Sequence, residues 1–303
     1  MVVTLAGGTG GAKLAAGLYE LLGEELAVVA NTGDDVEAYG VHVSPDPDLI
    51  AYRLAGALDE RGFGIAGDTF GVLAALREAG HETWFQLGDK DLAMCLIRTE
   101  LLRLGARLTE AHGGVVAALG ITARILPMSD DPVRTEVRTD AGWRPFQEFM
   151  IVDRAEPPVR EVRFRGADTA RPTPEVLEAV ERADAIVIGP SNPIISIGPV
   201  LAVPGLRDAL ARSRAPVVAV SPYVAGRVVK GPTDAFMSAA GLARGAAGVV
   251  AAYGDLLDGI VADEQVTELP ALETGTLMQS PADARRLAEQ TLAFAATLRS
   301  QGF

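Results

Sequence analysis

The stretch VVTLAGGTGGAKLAAGLYELLGEELAVVANTGDD, residues 2–35, decides the fold. Val2 to Ala6 is a short β-branched apolar run, followed by the turn Gly7-Gly8-Thr9-Gly10-Gly11. From Ala12 to Leu22 the side chains of Leu14, Leu18, Leu21 and Leu22 recur at helical spacing. Leu26 to Ala30 is a second apolar run and stops at Asn31. Strand, glycine turn, helix and strand in about 30 residues make one βαβ unit. That unit predicts an α/β fold with a Rossmann-like parallel sheet and right-handed crossovers.

Outward from this unit the rhythm changes twice. From Pro45 to Gly120 the pattern is mostly helical, with helices read at Asp48–Leu58, Asp68–Ala79, Lys90–Leu104 and Thr109–Leu119. Asp68 and Thr109 suit N-caps, and Gly80, Gly105 and Gly120 suit helix stops. Residues 123–165 alternate as short strands around the turn Asp140-Ala141-Gly142. The α/β rhythm then returns, with apolar runs at Ala185–Ile188 and Val217–Val220, a short run around Ile260, and a last helix from Ala282 to Leu298. The expected organisation is a nucleotide-binding core from 1–44 and 166–303, a mostly helical insertion at 45–122 and a β-rich segment at 123–165.

Composition excludes several functions. With 303 residues, 49% hydrophobic and 22% charged, the chain suits one large core. A net charge of −13 argues against a general nucleic-acid binder, because counterion release needs excess Lys and Arg. The only lysines are Lys13, Lys90 and Lys230. A lone Cys95 cannot form an internal disulfide or a multi-cysteine zinc site, and reads as a small apolar filler on a helix. No signal-peptide pattern opens the chain and no apolar run of about 18 residues spans a membrane, so the expectation is a cytoplasmic protein without a membrane partner.

The chemistry concentrates where apolar runs stop. Gly7, Gly8, Gly10 and Gly11 let the backbone approach a ligand, the following helix terminus offers N–H groups to a phosphate, and Lys13 adds a charge. Leu14 stands where a P-loop needs Ser or Thr, and Lys13 where the dinucleotide fingerprint needs its third glycine. Asn31-Thr32-Gly33-Asp34-Asp35 and Ser44-Pro45-Asp46-Pro47-Asp48 bring four carboxylates near two strand ends. Hard Mg²⁺ prefers such oxygens together with substrate phosphate, which makes Asp34, Asp35 and Asp46 candidate ligands and Asp46 or Asp48 candidate proton acceptors; turn and N-cap roles compete. Gly189-Pro190-Ser191-Asn192-Pro193 ends another apolar run in a stiff turn that presents Ser191 and Asn192. His42, His81 and His112 show no paired spacing and read as surface or capping residues. The absence of a nucleophilic constellation favours direct displacement at phosphorus.

AGGTGGAK from Ala6, NTGDD from Asn31, SPDPD from Ser44, LGDKD from Leu87, PMSDDP from Pro127 and GPSNPIISIGPVLAVPG from Gly189 occur in one order across most of the chain. Together they resemble the 2-phospho-L-lactate transferase family of deazaflavin coenzyme F(420) biosynthesis. The resemblance implies a Mg²⁺-dependent transfer of a phospho-acid from its guanosine diphosphate ester to 7,8-didemethyl-8-hydroxy-5-deazariboflavin, with GMP released. Carried over by position, Asp48 and Lys90 would contact the deazaflavin. The glycine loop with Lys13, Asn31 with Thr32, and Ser191-Asn192 with Pro193 would hold the guanosine diphosphate. Relatives imply a homodimer. A weaker resemblance links the chain to UDP-sugar-binding regulators of the gluconeogenesis-factor group, and the βαβ loop alone would also suit an NAD(P)-dependent oxidoreductase.

Overall fold

In the computed structural model, which describes residues 1–300, seven strands form one sheet. They are β1 Val2–Ala6, β2 Leu26–Ala30, β3 Arg124–Pro127, β4 Ala185–Ile188, β5 Val217–Val220, β6 Gly259–Ala262 and β7 Ala271–Glu273. The spatial order is 7-6-5-4-1-2-3 and every neighbouring pair is parallel. Apart from Arg124, every residue of β1 to β6 is buried. These strands therefore read as continuous Val, Ile, Leu and Ala runs, as expected when helices cover both faces of a sheet.

The order reverses between β1 and β4, which lie side by side at the centre. Loops leaving the carboxyl ends of two such strands diverge and open a crevice. The turn after β1 is the glycine loop, and the turn after β4 is Gly189–Pro193. Topology alone thus puts the two most unusual stretches of the sequence on the same edge.

Helix α1, Gly8–Leu22, follows β1 and is covered by α2, Pro45–Leu54. Ile50, Ala51 and Leu54 of α2 enter the same buried cluster as Leu14 and Leu18 of α1. The first helix of the insertion is therefore part of the core. It starts at Pro45, ahead of the expected Asp48, because proline at the first position has the helical φ already set. The next helices are α3 Gly71–Glu78, α4 Asp89–Arg103 and α5 Leu108–Ala118, and Gly80, Gly105 and Gly120 follow three of them at positive φ.

The expected caps are exchanged between neighbours. Asp68 accepts from the backbone N–H of Lys90 at 2.8 Å and of Asp91 at 3.1 Å, so it caps α4. Asp89 in turn accepts from Gly71 at 2.9 Å and Val72 at 3.0 Å, capping α3. Thr109 lies inside α5, and both its amide and its hydroxyl donate to Asp130, at 2.8 and 2.7 Å.

The β-rich segment divides. Arg124–Pro127 pairs with β2 as an edge of the main sheet, although the sequence pattern groups it with the strands that follow. Four residues are too few to distinguish a doubly covered strand from an alternating one. The rest, Gly142–Pro145, Arg134–Thr139 and Glu161–Arg165, forms a separate antiparallel sheet, with the helix Phe146–Ile151 turned toward the crevice. The last helix, Pro281–Ser300, lies along α1. Among the described residues no single helix is long and apolar enough to cross a membrane.

A β-carbon on Gly17 of α1 would strike the backbone carbonyl of Ala284 in the last helix, whereas one on Gly113 of α5 meets nothing within 4 Å. Gly17→Ala should therefore lower unfolding free energy by about 1–3 kcal/mol in a denaturant titration. Gly113→Ala, which only improves helix propensity, should lose nothing. Equal stability of the two variants would contradict this packing.

Candidate active site at the carboxyl ends of the central strands

A cavity of about 460 Å³ occupies the crevice. Gly7, Gly8, Thr9, Gly10 and Lys13 line one side, and Pro190, Ser191, Asn192 and Ser196 line another. The two turns touch directly: the Gly7 amide donates to Ser191 Oγ at 3.3 Å. A β-carbon on Gly10 would collide with the Pro190 carbonyl, and one on Gly11 would lie 2.5 Å from Ser191 Oγ. These glycines are required by the packing of one turn on the other. Gly8 differs, since it takes φ +64° and a β-carbon there would find nothing nearer than 3.8 Å. Its open face belongs to the cavity. No acidic residue lies within the first turn of α1 itself, but Asp46 of α2 caps the Gly8 amide, which leaves the other first-turn N–H groups for an anion.

Beneath this loop lies a buried acidic cluster. Asp46 accepts from the Gly8 amide at 2.7 Å and from Asn31 Nδ2 at 2.9 Å, while Asn31 Oδ1 accepts from the Gly33 amide at 2.8 Å. Asn31 thus spans the turn after β2 and holds a carboxylate against the glycine loop. Asp34 and Asp46 line the cavity. Asp35 stands outside its lining: its Oδ2 takes the Ser44 hydroxyl at 2.9 Å and meets His42 Nε2 at 2.9 Å. Oδ1 of Asp34 and Oδ1 of Asp35 are both buried without a hydrogen-bond partner.

Burial, and then the charge of Asp46, pushes the Asp34 carboxyl well above the usual carboxylate range. Burial likewise pushes Asp46 up to about 6, against the bonds from Asn31 and Gly8. For His42 burial opposes the charge, but Asp35 and Glu37 on its two sides raise it above the ordinary imidazole value. Carboxylates crowded out of water call for a cation or a proton.

The second acidic residue of α2 turns elsewhere. Asp48 forms a two-pronged ion pair with the fully buried Arg98 of α4, at 2.7 and 2.8 Å, and Arg98 also donates twice to the His42 carbonyl. His112 of α5 places Nδ1 4.0 Å from Asp48, and burial lowers it to about 4, so its ring is neutral at pH 7. Asp48, Asp91 and Cys95 bring donor atoms within 4.8 Å of one another, near enough to share a metal ion. Tyr52 already donates to Asp91 at 2.6 Å, and burial raises the Cys95 thiol far above its ordinary value. Lys90 lies on the exposed side of α4, where its ammonium donates to the Ala66 carbonyl at 2.9 Å.

The profile of the family described as 2-phospho-L-lactate transferase CofD matches residues 2–296. The chain belongs to this family. It is 44% identical over 266 residues to a 2-phospho-L-lactate transferase of Methanosarcina mazei, covering 87% of each chain. It is 42% identical over 271 residues to a phosphoenolpyruvate transferase of Kitasatospora aureofaciens, covering 86% of this chain and 84% of that one. A crystal structure of a UPF0052 family member from Bacillus halodurans superposes with a TM-score of 0.63 at 18% identity, covering 96% and 98% of the two chains, and shows the same α/β fold. Membership of the CofD family makes the chain a transferase and does not favour a UDP-sugar-binding regulator.

The CofD-family motifs named from sequence are brought together unevenly. Gly7, Gly8, Thr9, Gly10, Lys13, Asp34, Asp46, Ser191 and Asn192 line one cavity. Gly11, Asn31 and Asp35 support it from behind. Thr32 is buried with its hydroxyl unpartnered, and Pro193 opens the short turn Pro193–Ile197 that Asn192 caps. Asp48 and Lys90 do not line this cavity: one is engaged by Arg98, the other by Ala66. His42 and His112, expected at the surface or as caps, are instead buried among the helices of the insertion, and Arg98 carries no mark in the sequence. Arg98 sits among ordinary helix residues and its carboxylate partner is 50 positions away, so no local pattern marks it.

Two consequences follow for stability. Arg98→Met strands the Asp48 charge in the interior and should cost about 3–5 kcal/mol, with much of that recovered in Asp48→Leu/Arg98→Met. A denaturant double-mutant cycle measures both, and an additive cycle would mean that the pair is not coupled. Asp46 titrates near 6 when folded and at 3.8 unfolded, so the folded chain holds the extra proton between those values. Its contribution therefore falls as pH rises from 3.8 toward 6 and stays unfavourable above. Without added metal, Asp46→Asn should gain melting temperature relative to wild type on going from about pH 5 to about pH 7. A flat difference would exclude the shift.

Proposed function

We propose that the protein moves a phospho-acid group from its guanosine diphosphate ester to the ribityl hydroxyl of 7,8-didemethyl-8-hydroxy-5-deazariboflavin. The supporting observation is the single cavity in which the glycine loop, the Ser191–Asn192 turn and the carboxylates Asp34 and Asp46 meet. In this reading the amino end of α1, with Gly8 and Lys13, takes the diphosphate, and Ser191 and Asn192 lie across it.

The hydroxyl oxygen attacks the phosphorus that bears the acid, and the bond from that phosphorus to GMP breaks. GMP departs with the electron pair, and the hydroxyl proton passes to a carboxylate. Asp46, raised to about 6, suits that acceptor near neutral pH, and its bond to Gly8 fixes it against the loop. Asp34 and Asp35 fit Mg²⁺, since each carries a buried oxygen with no partner and oxygen is the donor that this hard ion prefers. Mg²⁺ held there would neutralise charge on the phosphates and the leaving group. Asp46 is the less suitable ligand because both its oxygens already accept hydrogen bonds. Asp48 and Lys90 enter this reading as the acceptor side, Asp48 locked by Arg98 and Lys90 at an exposed rim.

Relatives bear names of both lactate and enolpyruvate types, so the acid is phospholactate, phosphoenolpyruvate or a close analogue such as phosphoglycerate. The same reading takes the protein as a cytoplasmic homodimer that needs neither nucleic acid nor membrane, in keeping with the net charge of −13.

The test incubates the purified protein with the deazaflavin, Mg²⁺ and each guanosine-linked donor, and reads product masses. One donor should give the phosphodiester and GMP, chelation should stop the reaction, and Asp46→Asn should lower kcat about 100-fold. No product from any donor would overturn the reading.

A further inference from the structure

A second cavity, of about 520 Å³, adjoins the first, since Lys13 and Met278 line both. Its other walls include Tyr19 and Glu20 of α1 and Arg53 and Leu54 of α2. Two cations therefore face this space, one from each of two packed helices. Arg53 forms no ion pair or side-chain hydrogen bond among the described residues, and its Nε is buried without a partner. Lys13 donates to the Met278 carbonyl at 2.7 Å, which fixes its position and leaves its charge unmatched.

The nearby carboxylates are committed elsewhere. Glu20 takes Arg285 at 2.6 Å, and Asp283 accepts from the backbone N–H groups of Gln279 and Ser280 and from the Ser280 hydroxyl. Burial, then the charges of Arg53 and Lys230, lowers the Lys13 pKa, as expected for a cation crowded by its own kind. An arginine and a lysine that face one cavity without a carboxylate partner suit a ligand anion, and the arginine fork matches a carboxylate or a phosphate.

We propose that this second cavity receives the acid end of the donor, a small phosphorylated carboxylic acid, and that Arg53 takes its carboxylate while Lys13 stands between that group and the diphosphate. The assignment rests on the transferase reading above. Lys13 follows the diphosphate-binding start of α1 by about one helical turn, so a donor seated on the glycine loop extends past Lys13 into this space. Phospholactate, phosphoenolpyruvate and phosphoglycerate share the carboxylate and differ in the group beside it. Arg53 thus reads what is common to them, and the neighbouring walls at Tyr19 and Leu54 face what differs.

The experiment compares wild type, Arg53→Gln and Arg53→Lys. Calorimetric titration measures the binding of phosphoenolpyruvate and, separately, of GDP, and steady-state kinetics gives KM for the guanosine-linked donor and for the deazaflavin. Arg53→Gln should weaken phosphoenolpyruvate binding and raise donor KM by about tenfold, in line with the loss of a charge-assisted hydrogen bond. GDP affinity and deazaflavin KM should stay within about twofold, and Arg53→Lys should recover part of the loss. Unchanged phosphoenolpyruvate affinity and donor KM in a folded Arg53→Gln protein would overturn the subsite, as would a wild type that fails to bind phosphoenolpyruvate at millimolar concentration. Arg53-dependent phosphoenolpyruvate binding without transfer from any guanosine-linked donor would uphold the subsite and count against the transferase reading instead.

Discussion

The approach of Gly10 to the Pro190 carbonyl, with no room for a β-carbon, is the constraint on which the rest of the site depends. It fixes the turn after β1 against the turn after β4, and the open side of both becomes one wall. Gly7 and Gly11 repeat the constraint against Ser196 and Ser191. Such contact is possible only because β1 and β4 are neighbours where the strand order reverses. A glycine loop of this kind serves two ends. Most of its glycines admit another segment of the protein, and only Gly8 presents its bare face to the cavity.

The same approach creates an electrostatic problem beneath the loop. Asp46 is drawn under Gly8 by its amide, Asn31 ties it from the other side, and Asp34 and Asp35 follow in the next turn. Burial in one dry region, with mutual repulsion added to it, raises the proton affinity of Asp34 and Asp46. Asp35 avoids the conflict through His42 and Ser44. The cluster is costly to fold around, because its carboxylates are buried and two of their oxygens have no hydrogen-bond partner.

Behind the cluster the helical insertion is locked by a different pair. Arg98 and Asp48 join α4 to α2, and α2 shares its apolar side with α1. Helices α1, α2 and α4 are therefore parts of one packed body. Movement in α1 or α4 would be felt by the other through α2, which carries Asp46, Asp48 and Arg53 within a single short helix.

What the sequence determined was local. Apolar runs such as Ala185–Ile188 and Val217–Val220, the glycine turn, the proline-stiffened turn and the helix stops at Gly80, Gly105 and Gly120 follow from chemistry within a few residues of each position. Tertiary structure alone decided which of four neighbouring carboxylates faces the cavity, which is tied to a histidine and which is paired with arginine. Those fates depend on Gly8, His42 and Arg98, brought in from other elements, and on exclusion of water. No stretch of sequence shows its own burial. The edge strand Arg124–Pro127 and the exchanged caps Asp68 and Asp89 were hidden for the same reason: their partners lie far along the chain, and only folding supplies them.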